Sequence, residues 1–177
     1  MKPTLILMMG PSGCGKSYFA KKIEETHEDC IIVSRDKIRF ALLEENDDYF
    51  AKEDQVLRQF YYNINFSLQN HKYVVADATH LTKKARKQFF RNVNTRGVRV
   101  VGVWVEVPLA AALSQNSSRE GRARIPDDVV VNMFKRKISP QEDEPFNEVL
   151  YISPHEDIAL GKVSQGIESV VEKIKSI

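Results

Sequence analysis

The stretch that decides the fold is Gly10-Pro11-Ser12-Gly13-Cys14-Gly15-Lys16-Ser17. It matches the phosphate-binding pattern G-x-x-x-x-G-K-[ST] at every fixed position. An apolar run at residues 5–9 precedes it and predicts a strand, while the amphipathic stretch 16–26 that follows predicts a helix. Glycines let consecutive backbone N–H groups turn inward, and the amino end of a helix adds partial positive charge. This strand–loop–helix unit is therefore suited to holding phosphate.

The same loop predicts how the triphosphate of ATP is held. Residues 10–17 are expected to surround the phosphates, with Lys16 reaching the β- and γ-phosphates and the Ser17 hydroxyl ligating Mg²⁺. Asp77 ends another apolar run, residues 73–77, and is expected to act on the same metal ion through water. The cofactors that the sequence predicts are ATP and Mg²⁺.

Length and composition limit what else the chain can be. Its 177 residues amount to a little over one domain, at about 150 residues per domain. Lysines and arginines number 26 against 24 aspartates and glutamates, which excludes a strongly cationic histone-like binder and an acidic tail protein. The 2 cysteines are too few for a disulfide framework, and no apolar run approaches the ~20 residues of a membrane span. We expect a cytoplasmic protein with no membrane partner, and its oligomeric state stays open.

Segments of strand length alternate with segments of helix length along the chain. The predicted strands are residues 5–9, 30–34, 73–77, 98–105 and 149–152. The predicted helices are residues 16–26, 37–44, 49–70, 83–95, 109–118, 127–138 and 163–177. The second to fourth strands are almost continuously apolar, as expected when both faces of a sheet are covered. The alternation predicts an α/β fold, a parallel sheet of about five strands with helices on both faces.

Two absences from the sequence narrow the class of reaction. The chain contains no Asn-Lys-x-Asp motif, with which a GTPase reads guanine. Ala78 follows Asp77, where a hydrolytic ATPase often carries a glutamate that orients water. The first observation disfavours a GTPase and the second disfavours hydrolysis of ATP, which leaves transfer of the γ-phosphate to an acceptor other than water.

Asp36 and Arg39 follow the predicted strand 30–34, so we expect them at the carboxyl edge of the sheet, where open α/β folds bind ligands. Three residues apart on a helical turn, their side chains point the same way. A carboxylate beside the γ-phosphate can accept the proton of an attacking hydroxyl, which contributes ~10²–10⁴-fold. An arginine next to it can grip a phosphate of the acceptor. The alternative interpretation is an ordinary helix start with a surface arginine.

An arginine-rich loop lies between two predicted helices. Arg119, Arg122 and Arg124 surround Gly121. Such a loop can close over ATP and place a guanidinium on the charge of the transition state, worth ~10³–10⁵-fold in related chemistry. The alternative interpretation of these arginines is a basic loop exposed to solvent. We expect a lid at about residues 115–137, within a single domain that spans residues 1–177.

These motifs give the chain a resemblance to the kinase domain of phage-type and bacterial polynucleotide 5′-hydroxyl kinases, within a wider group of small P-loop kinases. The resemblance covers most of the chain. It is carried by Gly10–Ser17, by Arg35-Asp36 with Arg39, by Asp77-Ala78-Thr79-His80-Leu81, and by the loop from Arg119 to Ile125-Pro126. Residues 140–149, which include Glu144-Pro145-Phe146-Asn147-Glu148-Val149, also resemble a segment common in the wider group.

The resemblance implies a parallel sheet ordered 2-3-1-4-5 and a role for each matching residue. It implies that Lys16 and Ser17 hold the donor phosphates and the metal, and that Asp36 is the general base for a 5′-hydroxyl. By the same likeness, Arg39 contacts the adjacent phosphate of the acceptor, and Arg119 is the lid arginine on the donor phosphates.

The acceptor side shows one departure from the family pattern. The resemblance implies that Asp77 and Thr79 line the acceptor. Gln115 stands where such kinases often carry a second arginine, one turn before the lid arginine, and Arg122 or Arg124 would have to substitute for it. The phosphatase domain often attached to these kinases is not expected, since the sequence contains no Asp-x-Asp-x-Thr motif.

Residues 81–99 carry seven lysines and arginines and no acidic residue. The apolar stripe predicted for this helix is Ala85, Phe89 and Val93. Its predicted outer face is Lys84, Lys87 and Arg91. Such a face can follow a phosphate backbone, although a solvated helix surface is the favoured interpretation at a net charge of +2.

Aromatic residues are frequent in the predicted helix 49–70. The stripe expected in the core is Phe50, Leu57, Tyr61, Ile64 and Leu68. Further aromatic residues that offer stacking surfaces are Tyr49, Phe60, Tyr62 and Phe66. Burial is the favoured interpretation for these as well, because aromatic residues at helical spacing usually belong to the core.

Three functions stay open at this point. The first is an ATP-dependent kinase that phosphorylates the 5′-hydroxyl of a polynucleotide or short oligonucleotide, favoured by Asp36 and Arg39 together with the phosphate loop. The second is the same chemistry on a small molecule such as a nucleoside, sugar or antibiotic, favoured by Gln115 and the modest net charge. The third is an ATP-binding module that signals without catalysis.

Overall fold

The structure is a computed structural model that describes residues 2–153 and 172–177. Most of the helix predicted at residues 163–177 lies outside the described residues, and residues 172–175 are helical. The side chain of Arg122 also lies outside the described part. None of the described helices is long and apolar enough to cross a membrane.

Strands and helices alternate along the described residues, as predicted. The strands are β1 (Thr4–Met9), β2 (Cys30–Ser34), β3 (Tyr73–Asp77), β4 (Arg99–Val105) and β5 (Glu148–Ile152). The helices are α1 (Lys16–Thr26), α2 (Arg35–Leu42), α3 (Glu53–Asn70), α4 (Lys83–Asn92), α5 (Leu109–Ser117) and α6 (Asp127–Arg136). A short 3₁₀ turn, Gly121–Ala123, lies between α5 and α6.

The five strands form one parallel sheet in the order β2-β3-β1-β4-β5. This order confirms the predicted 2-3-1-4-5 topology. β1 lies in the centre, and all six of its residues are buried. Ser34 lies opposite Asp77 in the register of β2 and β3, so these two strands end together. The loops that follow β1, β2 and β3 therefore begin side by side at the carboxyl edge.

Each face of the sheet has its own apolar core. Ile6 and Met8 belong to a cluster with residues of α1, α5 and α6. Leu5 and Leu7, which alternate with them, belong to a second cluster with residues of α3 and α4. Helices therefore cover both faces, which explains why the strands are apolar almost throughout.

Helix α3 differs from its predicted form. It begins at Glu53 rather than at residue 49, and Phe50, expected in the core, is exposed. Its buried residues are Val56, Phe60, Ile64, Ser67 and Leu68. Tyr62 and Phe66, for which burial was the favoured interpretation, are exposed instead. The face of α3 that packs against the core therefore differs from the face that its apolar and aromatic residues predict.

Helix α4 also presents a different face to the core. Ala85, expected in the core, is exposed, and Arg86, counted in the basic run, is 0% exposed. The Arg86 guanidinium donates to both carboxylate oxygens of Glu144, at 2.6 and 2.7 Å. It also donates to the main-chain oxygens of His80 and Ile138. This buried pair fastens the segment after α6 to the loop after β3.

Removing Glu144 is expected to destabilise the protein. Glu144→Ala leaves the Arg86 cation buried without its partner, and breaking a buried pair from one side costs about 3–5 kcal/mol. Asp143→Ala is the matched control, since the neighbouring Asp143–Lys83 pair is exposed and should leave the unfolding midpoint unchanged. The measurement is the free energy of unfolding in urea, and equal midpoints for the two variants would contradict the assigned role of the buried pair.

Candidate active site

Loops from three strands surround one cavity of about 770 Å³ at the carboxyl edge of the sheet. The phosphate loop contributes Lys16 and Ser17, and the start of α2 contributes Asp36. Asp77 at the end of β3 and Arg119 after α5 also line the cavity. The structure therefore places Asp36, which follows β2, at the same edge of the sheet as the phosphate loop.

The phosphate loop adopts backbone conformations that glycine reaches most readily. Gly10 has a φ of +138° and Gly13 a φ of +81°. A Cβ at Gly13 would approach the Ala112 carbonyl oxygen to 2.4 Å, because the loop packs closely against α5. The N–H of Gly10 donates to the carbonyl oxygen of Thr79 at 2.9 Å, which joins this loop to the loop after β3.

Lys16 folds back over the phosphate loop. Its ammonium donates to the Pro11 carbonyl oxygen at 2.7 Å and lies 3.8 Å from the Cys14 sulfur. Helix α1 begins after Gly15, and no side chain of residues 2–153 or 172–177 caps its amino end. The N–H groups of its first turn are therefore available to the oxygens of a ligand.

Ser17 and Asp77 meet inside the cavity. The Ser17 hydroxyl donates to Asp77 Oδ2 at 2.9 Å. Burial raises the pKa of the Asp77 carboxyl, while the charge of Lys16 and the Ser17 hydrogen bond act in the opposite direction. A hydroxyl and a carboxylate held together are hard oxygen donors, of the kind that binds Mg²⁺ together with phosphate oxygens. These two residues fit the metal ion that the sequence predicts.

Asp36 lies in the first turn of α2. The helix begins two residues earlier than predicted because the Ser34 hydroxyl caps it, accepting from the Lys37 N–H at 3.4 Å. The Asp36 side chain is 60% exposed. Its Oδ1 accepts from Arg39 at 2.7 Å and from the Tyr49 hydroxyl at 3.0 Å. Burial raises the pKa of Tyr49 to about 12, so this phenol stays protonated and able to donate.

Arg39 is enclosed by protein groups. Its side chain is 3% exposed and donates to Asp36, to Tyr49 and to Glu53, the last at 2.5 Å. The Arg39 Cζ atom lies 4.4 Å from the centre of the Tyr49 ring. Burial acts to lower the pKa of Arg39, but the Glu53 hydrogen bond and the neighbouring charges outweigh it and raise that pKa. The guanidinium expected to grip an acceptor phosphate is already engaged by its own protein.

Glu53 is a residue of this site that the sequence analysis missed. One of its carboxylate oxygens accepts from Arg39 and the other from Arg35. It lies 14 residues beyond Arg39, in the first turn of α3. Acidic residues are common in the first turn of any helix, so its position offered no signal.

The arginine loop between α5 and α6 reaches the cavity. Arg119 is half-buried, and one of its nitrogens lies 3.5 Å from the Ser12 hydroxyl oxygen. Arg124 also lines the cavity, whereas Gln115 is exposed and does not. The structure thus brings Arg119 to the phosphate loop and Arg124 to the wall of the same cavity.

Asn116 holds this arginine loop in place and was not singled out from the sequence. It is fully buried, and its amide donates to the Ile125 carbonyl oxygen at 2.7 Å and to Asp127 at 3.0 Å. Its side-chain oxygen accepts from the Ile125 N–H at 3.2 Å. One amide therefore ties together the two ends of the loop that carries Arg119.

Thr79 and His80 form the loop after β3. Thr79 lines the cavity and is half-buried. His80 is buried against the rings of Phe60 and Phe89, and its Nδ1 lies 2.8 Å from the Met8 carbonyl oxygen. Burial lowers the pKa of His80 to about 3, so the imidazole is neutral. In the part of the chain that the structure describes, no three His, Cys, Asp or Glu side chains cluster as metal ligands.

Residues 5–140 match the AAA domain family, and the chain belongs to that family. No curated protein matches its sequence.

Solved structures share the fold at low sequence identity. A sugar kinase from Janibacter sp. HTCC2649 is 15% identical with a TM-score of 0.60, over 97% of this chain and 91% of that chain. A chain of the Pnkp1/Rnl/Hen1 RNA repair complex is 19% identical with a TM-score of 0.66, over 76% of this chain and 43% of that chain. Kti12 from Chaetomium thermophilum, in complex with ADP-AlF3, is 16% identical with a TM-score of 0.63, over 96% of this chain and 98% of that chain. At these identities the likeness shows a shared P-loop fold and nothing further.

The buried His80 predicts that stability falls in acid. Its pKa is about 3 in the folded protein and 6.5 ordinarily, so below pH 6.5 the unfolded chain binds the proton more strongly. Stability is fully present above pH 6.5 and is lost as the pH falls toward 3. The loss between neutral pH and about pH 5 is about 2 kcal/mol, since each pH unit below 6.5 contributes ~1.36 kcal/mol. The measurement is the free energy of unfolding in urea as a function of pH. This part of the pH dependence should disappear in His80→Gln and persist in the control His27→Gln. An unchanged pH dependence in His80→Gln would contradict the assignment of this loss to His80.

Proposed function

We propose that the chain is an ATP- and Mg²⁺-dependent phosphotransferase that moves the γ-phosphate of ATP to a hydroxyl acceptor, the 5′-hydroxyl of a polynucleotide or oligonucleotide. The observation that carries this proposal is the exposed Asp36 carboxylate, which shares one cavity with Lys16 and Ser17 of the phosphate loop. A carboxylate in that place is able to take a proton from a hydroxyl that approaches the terminal phosphate.

On the donor side, the main-chain N–H groups of the phosphate loop bind the phosphates of ATP. Lys16 exchanges its bond to the Pro11 carbonyl for oxygens of the β- and γ-phosphates. Ser17 and Asp77 would hold Mg²⁺, Asp77 through water, and the ion would supply positive charge that neutralises the phosphates. The Kti12 structure, which is in complex with ADP-AlF3, supports nucleotide binding by this fold.

Asp36 acts as the general base. Arg39 and Tyr49 both donate to Oδ1, and among the described residues no group donates to Oδ2. The acceptor hydroxyl gives its proton to Asp36 while its oxygen bonds to the γ-phosphorus. The bond between that phosphorus and the bridging oxygen breaks, and ADP leaves with the electron pair.

On the acceptor side, Asp77, Thr79 and Arg39 line the cavity. Because Arg39 already donates to Asp36, Tyr49 and a glutamate, its main part in this proposal is to hold the base in position. Contact with an acceptor phosphate requires Arg39 to exchange one of these bonds.

The segment 115–137 acts as the lid of a single domain. Arg119 lies close enough to Ser12 of the phosphate loop to reach donor phosphates when this segment closes. Arg124, which lines the same cavity, takes the place of the arginine absent at Gln115, unless Arg122 does so.

A small-molecule acceptor is the second candidate. Arg39 is paired rather than open, and an acidic residue, Asp48, is exposed on the cavity wall. Both features favour an uncharged acceptor over a polyanion. The acceptor would then be a hydroxyl of a nucleoside, sugar or antibiotic.

Asp36→Asn is expected to bind ATP normally and to lose phosphotransfer ~10²–10⁴-fold, since an amide cannot accept the proton. The assay follows transfer from γ-labelled ATP to 5′-hydroxyl oligonucleotides of DNA and RNA, with nucleosides and sugars tested in parallel. Asp143→Asn is the matched control, because its carboxylate is exposed and lies outside the cavity.

The acceptor screen separates the three candidate functions. Transfer to nucleosides or sugars, with none to oligonucleotides, would replace the polynucleotide acceptor by a small molecule. ATP binding with no transfer to any acceptor would leave a non-catalytic ATP-binding module. An Asp36→Asn rate equal to that of the unmodified protein would remove Asp36 from its proposed role.

Lys16→Ala is expected to raise the Kd for ATP roughly 10- to 100-fold, because a hydrogen bond to a charged group contributes ~1.5–3 kcal/mol. Lys21→Ala is its matched control, since Lys21 is exposed on the same helix and pairs with Glu24. Calorimetric titration with ATP measures both constants. Equal affinities in the two variants would contradict the assignment of the phosphate loop.

A further inference from the structure

The outer surface of the α3–α4 layer carries two exposed aromatic rings. Tyr62 is 65% exposed and Phe66 57% exposed, although both belong to a helix whose opposite side is in the core. Their rings stack nearly parallel, at 15°, with centroids 6.4 Å apart. Two large flat rings held in solvent cost hydrophobic free energy unless a partner covers them.

An open groove of about 610 Å³ is lined in part by α3 residues that follow each ring by three positions and are therefore its neighbours on the helix surface. Its lining includes Asn65, Gln69, Arg91, Asn94 and Arg96. Asn65, between the two rings on α3, donates to the Asn92 carbonyl oxygen at 2.9 Å and accepts from the Asn94 N–H at 2.8 Å. These bonds join the aromatic part of α3 directly to the segment that carries the two arginines. The groove shares no lining residue with the cavity at the phosphate loop.

Basic residues outnumber acidic ones in this part of the sequence. Residues 55–105 contain nine lysines and arginines and a single acidic residue, Asp77, although three of the nine pair with acidic residues outside this range: Lys83, Arg86 and Arg99. Asp77 is buried at the other cavity and does not face this surface. Within the described part of the chain, Arg91 and Arg96 form no ion pair. The guanidinium groups of Arg91 and Arg96 are therefore available to the phosphates of a polyanion.

We propose that Tyr62, Phe66, Arg91 and Arg96 form a binding surface for single-stranded nucleic acid. Bases stack on the two rings, the arginines pair with phosphates, and the exposed Gln69 amide of the groove reaches base edges. A single strand suits this surface better than a duplex, because only unpaired bases offer their flat faces to protein rings. An acidic protein segment would satisfy the arginines and leave the stacked rings without a matching partner.

This surface goes beyond the proposed phosphotransfer, which concerns only the 5′ end of an acceptor. Helix α3 begins at Glu53 beside the Asp36 site and carries Tyr62 about 14 Å further along its axis, at ~1.5 Å per residue. A strand whose 5′ end lies at Asp36 reaches the rings only with several further nucleotides. The role of this surface in the choice of acceptor rests on the proposed function. Binding of a single strand to the surface is measurable without ATP.

The test is fluorescence anisotropy with a labelled single strand of about 12 nucleotides, within the ~4–16 that such folds typically cover. Tyr62→Ser/Phe66→Ser should raise the Kd roughly tenfold or more and leave its salt dependence unchanged, because base stacking is lost. Arg91→Gln/Arg96→Gln should lower the slope of log Kd against log salt by about 1.4, at ~0.7 for each phosphate contact.

Two control variants match these substitutions away from the surface. Tyr151→Ser removes an exposed ring on β5, and Lys21→Gln/Lys22→Gln removes two exposed charges on α1; both should keep the original Kd and slope. Unchanged binding in both surface variants overturns the proposal. So does binding to anionic vesicles or to duplex that exceeds binding to the single strand. Strand binding that follows these expectations in a protein without phosphotransfer supports the surface and refutes only the proposed reaction.

Discussion

The site depends on the parallel pairing of β1 with β3. β1 leads into the phosphate loop and β3 ends at Asp77, so their common direction brings both ends to one edge of the sheet. Two hydrogen bonds then fasten the loops together, from the Gly10 N–H to the Thr79 carbonyl and from Ser17 to Asp77. With β3 reversed, Asp77 would lie about 16 Å away at the other edge, at ~3.3 Å per residue of strand.

The architecture could be predicted from the sequence because its determinants are local. The glycine spacing of residues 10–17 and the alternation of apolar runs with amphipathic stretches specify strand, loop and helix without reference to distant partners. The position of Asp36 at the carboxyl edge of the sheet could also be predicted from its neighbours in the sequence. A residue directly after a parallel strand lies at the carboxyl edge, and a shift of two residues in the start of α2 does not move it from there.

Burial of charged side chains could not be predicted, because it depends on partners far along the chain. An arginine on a helix is expected at the surface, since burying an unpaired cation is costly. Arg39 and Arg86 are buried only because Glu53 and Glu144 lie against them, 14 and 58 residues away. Nothing near either glutamate in the sequence distinguishes it from a solvated acid. The faces that α3 and α4 turn toward the core depend on such long-range packing and pairing. The local apolar pattern of each helix therefore predicted the wrong face.

The burial of Arg39 explains how Asp36 is both exposed and held in place. A carboxylate on the first turn of a helix is free to rotate unless donors fix it, and Arg39 and Tyr49 both donate to one of its oxygens. Asp36 is largely in solvent, so it cannot neutralise a buried guanidinium by itself, and Glu53 supplies the second negative charge. Both donors bind Oδ1, and among the described residues no group donates to Oδ2, so that oxygen of Asp36 is left for a proton. A group held in advance of the reaction needs little reorganisation when charge develops, which is where electrostatic catalysis has its largest effect. Glu53 therefore acts on the proposed base through Arg39, without contact with any reactant.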